Sequence, residues 1–237
     1  MGSSGNVVTI HAIGGMPGVG KTALAVHAAH RLRDGFPDRQ LFIDLYGYTP
    51  GQDRLPAEAA LAGLLAAIGV DARQLPEGLA ARTGLWRDRM AGQRALLVLD
   101  NAADSSQVTP LLLGGKDCLV LVTSRRHLGD LPGAVASVPL EVLPPREAQQ
   151  MFLQLAPRAA PGSEVAELVR LAGFLPLAIS LLARVYDRHP AWTLADLTAE
   201  TRARLLTLAA ESERPLPPRS RCPTATSPRI CRTSSAG

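Results

Sequence analysis

The stretch Gly15-Met16-Pro17-Gly18-Val19-Gly20-Lys21-Thr22 carries the plainest chemistry in the chain. It has the spacing G-x-x-x-x-G-K-[ST], in which consecutive backbone N–H groups curl around a phosphate. Glycine at 18 and 20 removes the Cβ that would block that approach. Lys21 is placed to reach the β- and γ-phosphates of a nucleoside triphosphate, and the Thr22 hydroxyl to ligate Mg2+. Gly15, Pro17, Val19 and Ala23 complete the loop and first helical turn, whose N-terminal partial charge favours an anion. Of the 25 basic residues 23 are arginine, and the lysines are Lys21 and Lys116, so a lysine retained here invites a chemical reason.

A phosphate loop needs a carboxylate for the metal, normally at the carboxyl end of a neighbouring parallel strand. Four apolar residues ending in Asp100 supply one at the edge where open α/β sheets bind ligands. Taken alone, such an aspartate is more often a turn starter, and the phosphate loop upstream reverses that reading. Asn101 follows where many hydrolytic proteins of this type carry a second acid. An amide orients water but cannot accept its proton, so slow turnover is expected. The next strand ends in Thr123-Ser124-Arg125-Arg126. Arg125 is the candidate sensor of a γ-phosphate, by a charge-assisted contact made in one nucleotide state only, although a solvated surface pair with Arg126 is the bland alternative. Lys21, Asp100 and Arg125 form the candidate catalytic set, with Thr22 and Asp100 as metal ligands.

These residues need strands and helices to hold them. Apolar, β-branched runs at Val7–Ile13, Gln40–Leu45, Ala95–Asp100, Cys118–Thr123 and, weakly, Ala136–Leu140 alternate with helical patterns at Lys21–Leu32, 56–68 and 77–91. Strands that alternate with helices and lack polar alternation predict a parallel sheet covered on both faces. After Pro144 and Pro145 the strand signal stops, and 146–210 reads as three or four helices. The expected fold is α/β: a parallel sheet sandwiched by helices over 1–143, followed by a small all-α lid over 144–212. From 213 to 237 the composition turns to Pro, Arg, Ser and Thr, which predicts a disordered tail.

With 46% apolar residues the 237-residue chain can bury a substantial core. No apolar run approaches the ~20 residues of a membrane helix and no signal-peptide pattern opens the chain, which predicts a cytoplasmic protein. Cys118, Cys222 and Cys231 form no metal-binding or disulfide pattern. The net charge of +4 is misleading: the last 24 residues carry five arginines and no acid, so the remainder is near neutral and nucleic-acid binding is not expected. His27 and His30 lack partners for a metal set, His11 reads as a packed strand residue, and Trp86 and Trp192 read as core or interdomain anchors. Asp44, closing the second strand, is better read as structural than as facing a nucleotide.

The segments AIGGMPGVGKTALA (12–25), LFIDLYGY (41–48), LLVLDNA (96–102), LVTSRR (121–126), LPPREA (143–148) and GFLPLA (173–178) together resemble the NB-ARC branch of the STAND signal-transduction ATPases, as found in actinobacterial pathway-type transcriptional regulators. The likeness covers residues 6–210. It implies a switch in which ADP holds a closed form and ATP favours an open form that self-associates, built into a longer protein with covalently linked effector or sensor domains. By the same likeness Thr123, Ser124 and Arg125 sense the nucleotide and Pro176 packs near the adenine. From the residues alone, Pro176 is a first-turn helix residue. Phe174 stands where many family members have glycine. The family continues into a winged-helix domain whose histidine contacts the ADP β-phosphate, and no such segment precedes the tail here, so an incomplete ADP lock is expected. Two other functions fit less of the pattern: a catalytic P-loop kinase or AAA-type ATPase, and a fragment without independent activity.

Overall fold

The computed structural model describes residues 9–115 and 117–212. The start of the first apolar run, Lys116, the tail, Cys222 and Cys231 lie outside them.

Five parallel strands form one sheet: β1 Thr9–Gly14, β2 Arg39–Asp44, β3 Ala95–Ala102, β4 Leu119–Ser124 and β5 Ala134–Pro139. Their order is β2-β3-β4-β1-β5, which sets the phosphate-loop strand β1 between β4 and β5. Residues of β3 and β4 are buried on both faces because each face has its own helices. Helix α1, Lys21–Leu32, covers one face, where Leu24, Ala25 and Ala28 meet Leu96, Val98, Leu119 and Leu121. Helices α2, Ala57–Ala67, and α3, Leu79–Met90, cover the other, packing Leu61, Leu65, Trp86 and Met90 against Leu97, Leu99, Val120 and Val122.

Two local features depart from the expected pattern. A short helix α4, Ser105–Val108, follows β3, capped by the Asp104 carboxylate accepting from the Gln107 amide. Cys118 precedes its strand, and its buried thiol donates to the Gln93 carbonyl. Burial pushes that thiol's pKa up, so it packs as a small hydrophobe.

Four more helices follow: α5 Pro145–Leu155, α6 Ser163–Leu171, α7 Pro176–Arg188 and α8 Leu194–Ser212. They share a second apolar core around Phe152, Leu168, Ile179, Ala183 and Leu197. Trp86 is fully buried in the first core, whereas Trp192 is half-buried at the edge of the second and stacks on His189. Among the described residues no helix is long and apolar enough to cross a membrane, and no group of three metal-ligating side chains forms.

Candidate functional site

The carboxyl ends of β1, β3 and β4 open into a cleft of about 560 Å3, which α5 and α7 also line. The ends of β3 and β4 are tied to each other, and β3 to the first turn of α1, through polar side chains. Asp100, 5% exposed, accepts from Thr22 Oγ1 at 2.9 and 3.0 Å and from Thr123 Oγ1 at 2.6 Å. The same Thr123 hydroxyl accepts from the Asn101 N–H at 2.8 Å. Ser124 donates to the Ala102 carbonyl and accepts from the Arg126 N–H. This knot exists because β3 slips register against β4 between Leu99 and Ala102, with Asn101 at φ 56. The slip is a bulge, which re-aims side chains at a strand end.

The loop between β1 and α1 is shaped by backbone rather than side chains. Gly18 has φ 80, and a Cβ there would lie 3.2 Å from Leu177 Cβ, so the left-handed turn and the contact with α7 both require glycine. Its carbonyl accepts from the Leu177 N–H at 3.1 Å. Gly20 caps α1 without a side chain, leaving first-turn N–H groups for an incoming anion. Lys21 Nζ donates to the carbonyls of Gly15 at 2.7 Å and Met16 at 2.9 Å. Burial lowers its pKa from the ordinary lysine value, the Arg125 charge adds to the shift, and Asp100 opposes it. Two cations and one carboxylate therefore face the same space, an imbalance that suits an anion.

Of the residues expected at the site, Pro17, Gly18, Gly20, Lys21, Thr22, Ala23, Asp100, Asn101, Thr123, Ser124, Arg125 and Pro176 line the cleft. Gly15 and Val19 do not. Gly15 lies against the Leu140 carbonyl, Val19 is 3% exposed and packs on Gly15, and both support the loop from beneath. Asp44 is also elsewhere, its carboxylate accepting from the Tyr46 N–H. Arg126 is exposed and off the cleft. His27 and His30 are exposed on α1.

Sequence reasoning missed Tyr48, Thr49 and Pro50 from the segment after β2, and Met151, Leu177 and Ser180 from the helical wall. The first three follow a strand end at the sheet's ligand edge, a positional signal that was available. The wall residues belong to amphipathic helices, where a core position and a cleft position look alike.

No family model matches the chain. Over 201 residues, 84% of its length, it is 40% identical to the regulatory protein AfsR of Streptomyces griseus. It is 41% identical, over the same share, to AfsR of Streptomyces coelicolor. It spans 20% of the length of each relative. A solved structure of the Aeropyrum pernix ORC2 protein, in ADPNP–ADP complexes, is similar in fold at TM-score 0.55 and 15% identity, over 84% of this chain and 62% of that one. With its parallel sheet, its phosphate-loop motif and this kinship, the chain has the P-loop NTPase fold and is homologous to one segment of a longer regulatory protein.

Proposed function

We propose that this module is an adenine-nucleotide switch, binding ADP or ATP with Mg2+ and hydrolysing ATP slowly, as part of a larger signalling or transcription regulator. The observation that carries the reading is the convergence of Lys21, Thr22, Asp100 and Arg125 on one cleft that also has an apolar wall of Met151, Pro176 and Leu177. The amides of the Gly18–Thr22 turn and the Lys21 ammonium would hold the β-phosphate, and the wall suits the flat apolar face of a base.

The oxygen donors also fit Mg2+, a hard cation that takes few protein ligands: the Thr22 hydroxyl and Asp100 carboxylate are already in contact. When bound, Mg2+ neutralises phosphate charge. Asn101 donates its side-chain amide to Thr49 Oγ1 at 3.0 Å. It can orient water in that position but has no basic atom to take the proton, which supports slow hydrolysis and a role set by nucleotide state rather than turnover. In this reading residues 1–143 bind the phosphates and 144–212 close over the base. The ATP state would favour self-association, and the linked domains of the longer protein would carry the output.

Isothermal titration with ADP and ATP in Mg2+ tests this. Lys21→Ala removes charge-assisted contacts to phosphate, so affinity should fall about a hundredfold, on the order of 2.7 kcal/mol. Equal binding by wild type and variant would overturn the assignment.

A further inference from the structure

Arg125 is exposed at the end of β4, and a long arginine on a surface would normally be free to wander. Here it has a seat. Its guanidinium carbon lies 4.8 Å from the centre of the Tyr48 ring, and its Nη2 donates to the Tyr48 carbonyl at 3.4 Å. Both residues line the cleft.

The seat is itself fixed. Tyr48 Oη donates to the Ala103 carbonyl at 3.2 Å, just past the end of β3. The segment that carries it runs alongside β3 beyond β2: the Leu45 N–H donates to the Asp100 carbonyl at 2.9 Å and the Gly47 N–H to the Asn101 carbonyl at 2.8 Å. Its two ends close on each other, Leu55 N–H to Leu45 carbonyl at 3.0 Å. The buried Gln107 amide clamps both ends by donating to the Leu45 and Leu55 carbonyls, each at 2.8 Å. Thr49, next in line, accepts from Asn101. A loop closed and pinned in this way presents its tip rigidly.

We propose that Tyr48 is a positioning residue for nucleotide discrimination, its ring and carbonyl holding the Arg125 guanidinium at the cleft mouth ready for the terminal phosphate of a triphosphate. The physical basis is entropy. A free arginine must give up rotamer freedom when it meets a phosphate, whereas one already stacked on an aromatic face has lost most of it before the ligand arrives. The contact with Tyr48 also leaves part of the planar fork of N–H groups unspent. Lys21 and Arg125 line the same cleft, so the two cations address one ligand. The arginine reads the terminal phosphate through Tyr48's placement of it, and a diphosphate lacks the group to be read.

The inference rests on the proposed nucleotide site, and the same titration separates the two. The purified chain is titrated with ADP and with a non-hydrolysable ATP analogue, each with Mg2+, and the ratio of the two affinities is followed in wild type, Arg125→Ala, Tyr48→Leu, Tyr48→Phe and Tyr48→Leu/Arg125→Ala. Leucine keeps bulk at the loop tip but has no π face. The triphosphate-to-diphosphate ratio should fall about tenfold in Tyr48→Leu, the scale of a cation–π contact with its ordering effect. Tyr48→Phe, which keeps the ring and the backbone clamps of the loop but loses the hydroxyl bond to Ala103, should recover most of it. The double variant should discriminate no worse than Arg125→Ala, because Tyr48 acts through the arginine. A wild-type ratio in Tyr48→Leu, a phenylalanine that does not rescue, or additive losses in the double variant would overturn the role of Tyr48 while leaving the site intact. No binding of either nucleotide by wild type would overturn the site and this role together.

Discussion

The sheet and the helical half present opposite kinds of surface to the shared cleft. From the sheet come hydroxyls, a carboxylate and cations, linked so tightly that Asp100, Thr123 and Ser124 are almost wholly buried yet fully hydrogen-bonded. Buried polar groups of this kind tolerate one arrangement, because an unmade bond in a low-dielectric setting is costly. From the helices come Met151, Pro176 and Leu177, with Ser180 spending its hydroxyl on the Leu177 carbonyl of its own helix. Their contribution is shape, and shape survives substitution better than hydrogen-bond complementarity. Chemistry is concentrated where β-strands end, and enclosure is left to amphipathic helices.

The widest test of this division asks whether the halves fold as separate units. Phe152 is fully buried in the helical core, 6.4 Å from the Tyr186 ring, and Trp86 is fully buried in the sheet core with Nε1 donating to the Leu111 carbonyl. Either residue replaced by alanine should cost about 3–5 kcal/mol. If residues 144–212 form a unit of their own, scanning calorimetry of Phe152→Ala will shift one transition and Trp86→Ala the other. Movement of a single transition by both variants would break the comparison and make the module one cooperative block.

A sharper contrast uses hydroxyls from the two halves. Thr123→Val keeps the shape but strips an acceptor from the Asn101 N–H and a donor from Asp100. It should cost about 2–3 kcal/mol in urea denaturation, the scale of a buried group left unpaired. Ser180→Ala removes a hydroxyl bonded only within its own helix turn, and should stay within about 0.5 kcal/mol. Equal losses would mean that the polar knot is no more demanding than the wall.

What was legible in the sequence follows the same line. Gly18, Lys21 and Thr22 announce themselves because phosphate chemistry demands those residue types at that spacing, and Asp100 and Arg125 because they end apolar runs. The parallel sheet followed from strands without polar alternation, and the helical segment from its periodicity. Its order could not follow, since strand neighbours depend on contacts far apart in sequence. Tyr48 was hidden for a related reason: its partner, Arg125, is 77 residues away, and only the pairing of β2, β3 and β4 brings them together. That Gly15 and Val19 pack beneath the cleft rather than line it could not be read from the motif, because spacing does not say which side chains face inward.

A smaller contrast than that between Thr123 and Ser180 concerns the turn that sets the helical wall against the sheet. Helix α6 ends with the Gly173 N–H donating to the Arg170 carbonyl and the Phe174 N–H to the Val169 carbonyl, both at 3.0 Å, the paired bonds of a Schellman cap. Pro176 then opens α7. Phe174 has φ 58, left-handed backbone that a bulky side chain rarely adopts, while its ring packs partly against the helical core and its carbonyl accepts from the Leu143 N–H at 3.1 Å. Strain and burial therefore oppose each other at one residue. Phe174→Ala would lose the burial and keep the strain, and Phe174→Gly would lose both. Glycine should therefore be more stable than alanine here by about 1 kcal/mol, the reverse of their usual order within a helix or strand. Urea midpoints of the two variants decide it. Alanine at or above glycine would mean that this turn relaxes out of the left-handed region, and that the wall's position owes nothing to it.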